Sequence, residues 1–286
     1  VDRLIEDGNE VISLDNESAT SNKEFYWNPQ AYKAVLDICD YDKIEPLFKS
    51  VDCVFHLAAE ARIQPAIKNP CKASATNVLG TCNVLQAARE NGVDRVIYSS
   101  TSSAYGLINS PPLIEDMPND CLNPYSVTKV AGEELCKMYT KLFGLKTLIF
   151  RYFNVYGERQ PIKGQYAPVV GIFLCQTEAG EPMTIVGDGL QKRDFTHVSD
   201  VVEANILAMN SESASICGET CNIGTGKNYS VLELAKMIGV KYTYIPERLG
   251  EARVTLADIT KAKSLLDWRP KVELKDWIRE YADVQY

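Results

Sequence analysis

Histidine is almost missing from this chain: His56 and His197 are its only two, so the commonest metal ligand and general base is scarce. Both lie in apolar, strand-like or helix-like surroundings that predict satisfied structural roles, and no ligand set for a metal is visible. No apolar run approaches the ~20 residues that cross a bilayer, so no spanning helix is expected. Positive charge is also short, with 30 Lys+Arg against 38 Asp+Glu and a net charge of -8 at pH 7. Nucleic-acid phosphates call for a basic stripe, so nucleic acid is excluded as a partner. Internal repeats and low-complexity tracts are absent. The nine cysteines are odd in number and scattered through apparent strands and helices at Cys53, Cys82, Cys136 and Cys175. That usage suits buried thiols in a reducing cytosol, and a cytoplasmic location is expected. Cys217 and Cys221 have no second ligand pair and read as unpaired structural thiols.

What the chain does have is a hydrophobic content of 45% over 286 residues, enough for one large or two intimate domains. Short β-rich runs alternate with helical ones, the pattern of a parallel sheet with crossover helices. Strands are predicted at 11–15, 53–59, 95–101, 146–152 and 183–186, and helices at 69–91, 124–143 and 197–210. After Asn154 the pattern loosens, and smaller elements follow from Gly218 onward.

The sharpest signal is Tyr125-Ser126-Val127-Thr128-Lys129, opening a helical stretch. Residues four apart share a helix face, so Lys129 can stand beside the Tyr125 phenol and also reach a third group. A free phenol titrates near 10, leaving about one in a thousand ionised at neutral pH. Lowering that value to near 7 takes about 4 kcal/mol of preferential phenolate stabilisation, which a close ammonium and an oxidised nicotinamide could supply. Tyr125 is therefore a candidate general base for a sugar or alcohol hydroxyl. Tyr-x-x-x-Lys alone is common in ordinary surface helices, but its surroundings here are specific. Residues 95–101 read as a buried strand running into Ser99-Ser100-Thr101-Ser102-Ser103, at the carboxyl end where parallel sheets place ligands. Asn123-Pro124 then stops the loop and starts the helix.

Taken with His56-Leu57-Ala58-Ala59, Asn77-Val78-Leu79-Gly80-Thr81, Arg151-Tyr152-Phe153-Asn154-Val155-Tyr156-Gly157, Gly187-Asp188-Gly189, Arg193-Asp194-Phe195, Asn222-Ile223-Gly224 and Arg248-Leu249-Gly250-Glu251, the chain resembles the extended short-chain dehydrogenases/reductases. Within them it is similar to the NAD-dependent nucleotide-sugar epimerase/dehydratase branch, above all to the UDP-glucose/UDP-N-acetylglucosamine 4-epimerases. The resemblance covers essentially the whole chain. It implies a Rossmann-type doubly wound parallel sheet with a smaller α/β substrate domain: residues 1–155, with 183–211 contributing, as the NAD-binding part, and 156–286 as an interleaved cap. The family opens with a strand and a Gly-rich turn that holds the cofactor pyrophosphate at a helix N-terminus. Val1-Asp2-Arg3-Leu4 instead reads as the end of that first helix, so about 20 residues of the βα unit are expected to be missing.

The resemblance also assigns residues. Asp15 ends the second strand, where a carboxylate accepts from ribose hydroxyls and repels a 2′-phosphate, favouring NAD over NADP; Asp-Asn is good turn chemistry there as well. Asn16, Asp37, Ile38, Leu57, Ala58, Ala59, Asn77, Ser99, Tyr125, Lys129 and Tyr152 complete the implied cofactor set, although Asn77 reads nearly as well as a buried tie between loops. Thr101, Ser102, Ser103, Tyr125, Asn154, Ala167, Val169, Arg193, Arg248, Glu251 and Thr255 are the implied contacts for a UDP-sugar, the arginines gripping phosphates with a fork geometry that lysine lacks.

Dehydratases of this family carry an acidic pair after the catalytic threonine, whereas this chain has Ser102-Ser103, whose hydroxyls are poor acids and bases for removing water. The expected reaction is 4-epimerisation: Tyr125 removes a proton, NAD takes a hydride, and the 4-keto sugar receives it back on the other face. Thr101 hydrogen-bonds the reacting hydroxyl or passes its proton on. A reductase or decarboxylase with the same Tyr and Lys, or a non-catalytic binding protein on this fold, remains an alternative. A homodimer built on helices 69–91 and 124–143 is expected, as in relatives, and the resemblance puts Thr255 against the sugar's carbon-2 substituent, where its small side chain implies room for an N-acetyl group.

Overall fold

The structure, a computed structural model, describes residues 1–19, 25–161, 167–239, 241–247 and 252–285, with side chains as far as Tyr281. In chain order the first part comprises α1 (Asp2–Glu6), β1 (Ile12–Asp15), β2 (Tyr32–Val35), α2 (Tyr41–Ile44), β3 (Cys53–His56), α3 (Ile63–Lys68), α4 (Pro70–Ser74), α5 (Thr81–Glu90), β4 (Arg95–Thr101), α6 (Pro124–Phe143) and β5 (Lys146–Tyr152). β3, β4, β5 and the later strand Thr220–Ile223 form one parallel sheet in that spatial order. β1 and β2 make a separate parallel pair. This is a Rossmann-type α/β fold.

Alternation along the strands builds a core on each face. Ile97, Leu148 and Phe150 point to one side, under Val201, Ala204 and Ala208 of the helix Val198–Asn210. Val96, Tyr98 and Ile149 point to the other, under α5 and α6. A side-chain period of two with both faces buried is what a parallel sheet requires. A third core joins the helix Val169–Glu178, the strand Met183–Val186 and the C-terminal helix Leu274–Gln285 around Phe173, Ile185 and Trp277.

Three outcomes differ from the sequence pattern. β3 stops at His56, and Leu57 is 62% exposed, because the chain leaves the sheet at its carboxyl edge. The stretch 69–91 is helical throughout, but Ala75–Gly80 is wound as a π-helix between α4 and α5. Thr220–Ile223, expected among smaller late elements, extends the main sheet beside β5; four apolar and polar residues in a row carry no periodic signal. Among the described residues no helix is long and apolar enough to cross a membrane.

α6 positions the site, and its ends are written locally. Asn123 and Ser126 form a capping box, Pro124 takes the first turn, and Gly144 closes the helix at φ 72° in the left-handed region. Its buried face carries Thr128, Gly132, Cys136 and Tyr139, and with them Lys129 and Glu133. A Cβ on Gly132 would lie 2.1 Å from the Tyr98 hydroxyl, so only glycine lets the helix ride this close to β4. Glu133 is fully buried and takes a bidentate ion pair from Arg151 on β5, at 2.9 Å to Nε and 2.7 Å to Nη2. Ser100 on β4 donates to the same carboxylate, and Asn119 accepts from Arg151 at 2.8 Å.

Glu133→Gln leaves the guanidinium buried without its counter-charge and is expected to lower stability by about 3–5 kcal/mol in urea unfolding, whereas replacing Glu133 and Arg151 together by Leu and Met restores most of that loss. A single-variant loss below about 1 kcal/mol contradicts this account of the pair.

Candidate functional site

Register brings the site together at the carboxyl ends of the strands. Thr101, last in β4, lies beside Tyr152, last in β5, while His56 ends β3 opposite Tyr98. Thr101 is buried, accepts from the Ser103 backbone N–H at 3.1 Å, and acts on the Tyr125 phenol to lower its pKa. Ser102 and Ser103 follow in a short 3-10 turn, half-buried. Tyr125 is half-buried at the head of α6; burial raises its pKa above the usual phenol value, opposed by Thr101 and by the Arg62 guanidinium.

Lys129, one turn on, is only 3% exposed. Its Nζ lies 4.1 Å over the Tyr98 ring, and the Tyr98 hydroxyl donates to the Lys129 carbonyl at 3.2 Å. Desolvation pushes the ammonium down to about 7, against the pull of the thiol Cys136 and the carboxylate Glu133. His56, pushed down to about 3 by burial and then by Lys129, is neutral and shares a 2.9 Å hydrogen bond with Thr81. His197 caps the helix Val198–Asn210.

The residues implied for a cofactor lie along the same edge but differ in what occupies them. Asp15 accepts from the Glu17 backbone at 2.6 Å, and Asn16 donates to Asp37 at 2.9 Å, joining the ends of β1 and β2. Backbone donation from Cys39 holds the Asp37 carboxyl below its usual value, so it stays an acceptor. Ile38 is buried against Gly80 and α5, so its side chain belongs to the core. Leu57, Ala58 and Ala59 follow β3 and are exposed or half-buried. Asn77 sits in the π-helical stretch, donating to Thr128 at 2.9 Å and bonding both backbone groups of Glu60, which is the loop-tying role. Ser99 and Asn205 both reach the Tyr152 hydroxyl, at 3.4 and 2.9 Å. Whether these residues suit a nicotinamide dinucleotide is tested by Lys129: a buried ammonium with no hydrogen-bond acceptor among the described residues leaves donors that vicinal ribose hydroxyls match.

On the substrate side, Asn154 adopts φ 30°, an uncommon conformation that asparagine tolerates, and donates to the Asp194 carbonyl at 2.9 Å. Its amide also lies 3.4 Å from the Thr255 hydroxyl. Thr255 is buried, with its hydroxyl between Asn154 and the Asp194 backbone N–H. Arg193, half-buried, donates to the Lys192 and Arg253 carbonyls. Ala167 and Val169 are half-buried at the head of the helix Val169–Glu178, apart in sequence and element from the Tyr125 cluster. Arg248 and Glu251 lie outside the described residues.

Sequence reasoning missed Arg62, Glu133, Arg151, Tyr98 and Asn205. Glu133 falls four residues after Lys129 on the same helix face, a spacing that could have exposed it; Arg62 precedes a short helix and carries no such mark.

The chain matches the NAD dependent epimerase/dehydratase family over residues 1–224. The UDP-glucose 4-epimerase of Mycolicibacterium smegmatis is 37% identical over 290 residues, covering 97% of this chain and 91% of the relative. A crystal structure of the Thermotoga maritima UDP-glucose 4-epimerase with UDP-glucose superposes with a TM-score of 0.92 at 34% identity, over 100% of this chain and 94% of the other. The UDP-N-acetylglucosamine 4-epimerase of Methanobrevibacter ruminantium, in complex with UDP-N-acetylmuramic acid, gives 0.90 at 30% identity over 100% and 94%.

Proposed function

The chain belongs to the NAD dependent epimerase/dehydratase family, and from that footing we propose that it is a UDP-sugar 4-epimerase whose reaction runs through a 4-keto sugar. The observation that carries this reading is the placement of Tyr125 at the head of α6 and of Thr101 at the carboxyl end of β4, with Lys129 buried one helical turn after Tyr125. Bound NAD supplies a hydride acceptor that is restored within each turnover.

The residues do the rest. Tyr125 takes the proton of the sugar's 4-hydroxyl, with Thr101 holding that hydroxyl or relaying its proton. Burial drives Tyr125 toward the neutral phenol and Lys129 toward the neutral amine. Moving one proton from Tyr125 to Lys129 creates the working phenolate–ammonium pair without any net proton uptake. Lys129, once hydrogen-bonded to ribose hydroxyls, favours its charged form, and that charge in turn favours the phenolate. The base is thereby coupled to cofactor occupancy. Ser102 and Ser103 provide no carboxylate for dehydration. Asn154 and Arg193, with Arg248 and Glu251, are assigned to the UDP group, and Asp15, Asn16 and Asp37 to the adenosine end of NAD.

Tyr125→Phe is expected to cut interconversion of UDP-glucose and UDP-galactose by about 100- to 10,000-fold while UDP-sugar binding by calorimetry is kept. Turnover within twofold of the parent rejects the base assignment. A lasting rise in NADH absorbance during turnover instead favours a dehydrogenase.

The sugar itself is proposed from Thr255. Its small side chain beside Asn154 leaves the pocket open to a C2 N-acetyl group as well as a hydroxyl. Thr255→Tyr is expected to depress turnover of UDP-GlcNAc at least tenfold more than that of UDP-glucose, a difference of about 1–3 kcal/mol. Equal depression of both, in protein that melts normally, removes Thr255 as a gate.

A homodimer is part of the same reading: Leu79 at 53% and Val127 at 52% exposure leave apolar side chains on the outward faces of the π-helical stretch and α6. Sedimentation at micromolar concentration should give twice the 31.9 kDa chain mass; a monomer mass refutes it.

A further inference from the structure

Asp194 ends the strand Lys192–Asp194 and is 0% exposed, yet no cation pairs with it among the described residues. Four donors converge on its carboxylate instead. The Thr225 backbone N–H and hydroxyl reach one oxygen at 2.8 and 2.7 Å, and the backbone N–H groups of Gly226 and Ala257 reach the other at 3.0 and 3.1 Å. An ionised carboxylate offers about four lone-pair sites, so its accepting capacity is filled. Burial raises the Asp194 pKa, and the hydrogen bonds from Thr225, Ala257 and Gly226 oppose that rise.

These donors belong to two separate segments. Residues 224–226 follow the strand Thr220–Ile223, and residues 255–257 run on from Thr255, whose N–H donates to the Lys192 carbonyl at 3.0 Å. The segments approach so closely that a Cβ on Gly224 would lie 2.5 Å from the Ala257 Cβ and 3.0 Å from the Asp194 carboxylate. The backbone of Asp194 meanwhile serves the substrate side. Its carbonyl accepts from the Asn154 amide at 2.9 Å, and its N–H lies 3.4 Å from the Thr255 hydroxyl. Asn154, at φ 30°, is thus held in an uncommon conformation by the residue whose carboxylate clasps both segments.

We propose that Asp194 is a positioning residue for UDP-sugar binding: its carboxylate locks residues 224–226 and 255–257 against the strand Lys192–Asp194, so that Asn154 and Thr255 are set before the ligand arrives. It touches no substrate atom in this role, so the inference rests on the assignment of Asn154 to the UDP group. A buried charge without a counter-ion costs stability unless hydrogen bonds meet it, and an apolar residue would fill the same space without that cost. Asparagine in its place accepts from two of the four donors at most and turns its own N–H groups toward the rest. Contacts that hold substrate equally in the ground and transition states act on KM and leave kcat.

The test combines steady-state kinetics of the NAD-loaded full chain on UDP-galactose with calorimetric binding of UDP, at a temperature where circular dichroism shows each variant folded. Asp194→Asn is expected to raise KM and the UDP Kd by about tenfold, with kcat kept within about threefold. Thr225→Val removes one of the four donors and should move both quantities the same way by about two- to fivefold; it decides the matter if Asp194→Asn does not fold. Asn154→Ala completes a double-mutant cycle with whichever of these folds. If the carboxylate acts through Asn154, the double variant's loss of UDP affinity falls at least about threefold short of the product of the single losses, which a separate structural role would not produce. Unchanged KM and UDP affinity, a loss of kcat with KM kept, or losses that simply multiply overturn the role of Asp194. Unchanged UDP affinity in Asn154→Ala overturns the assignment of Asn154, and this inference with it.

Discussion

Glu133 and Arg151 meet at 0% and 2% side-chain exposure, each arriving from a different layer of the fold. Two charges removed from water repay their desolvation only if nearly every lone pair and N–H is matched, so such a pair tolerates little displacement of the elements that carry it. Ser100, Asn119 and the face of Tyr105, 4.7 Å from the guanidinium, supply further partners, and only the Arg151 Nη1 is left without a hydrogen bond. The geometry of the site comes from sequence adjacency to these groups. Thr101 follows Ser100, Tyr152 follows Arg151, and Lys129 and Tyr125 lie one and two turns before Glu133 on the same helix face. Sliding α6 by one residue would break both carboxylate contacts and carry Tyr125 away from Thr101.

A second constraint is steric. Gly132 lets α6 touch the Tyr98 ring, and that ring is what lies beneath the Lys129 ammonium. An aromatic face offers a buried cation some electrostatic compensation without accepting a hydrogen bond. The lysine donors are therefore left unspent, while burial, against the pull of Cys136 and Glu133, brings the amine down to about 7. Had a carboxylate stood in place of Tyr98, Lys129 would be charged at all working pH and fully satisfied, with nothing left to offer a ligand.

Much of this was written plainly in the sequence. The Pro124–Phe143 helix has a start signal in Asn123-Pro124 and a stop in Gly144, and it spans the predicted residues. β4 and β5 also match, because long β-rich runs buried on both faces are hard to mistake. That Tyr125 and Lys129 lie one turn apart on a helix is legible because a four-residue spacing is one turn, whereas the Tyr98 ring beneath the ammonium required the fold. Other features depend on the tertiary context. A π-helical turn has no compositional mark, and the four residues of Thr220–Ile223 become a sheet strand only because β5 offers them an edge. Asp15 and Asn16 follow turn chemistry and the implied ribose role equally well from sequence, and the Glu17 contact at 2.6 Å satisfies the first without opposing the second. Ile38 is legible as apolar, yet its burial against Gly80 required the fold.

The π-helical stretch has a consequence for the cleft that α-helical winding would lose. A π-turn inserts a residue and rotates the next turns of the helix, and such turns gather at functional sites for that reason. Here Asn77 is turned so that one amide bridges Thr128 of α6 and both backbone groups of Glu60. Glu60 lies two residues before Arg62, and Thr128 one before Lys129. A single buried side chain therefore fixes the loop carrying Arg62 against the helix carrying Lys129 and Tyr125. Loops that leave a sheet edge are ordinarily the most mobile part of such a fold. This one is held by three hydrogen bonds in a site of low dielectric, where each is stronger than in water. The electrostatic environment of the Tyr125 phenol is thus fixed by the fold before any ligand arrives, leaving ligand binding to shift a proton rather than to assemble the site.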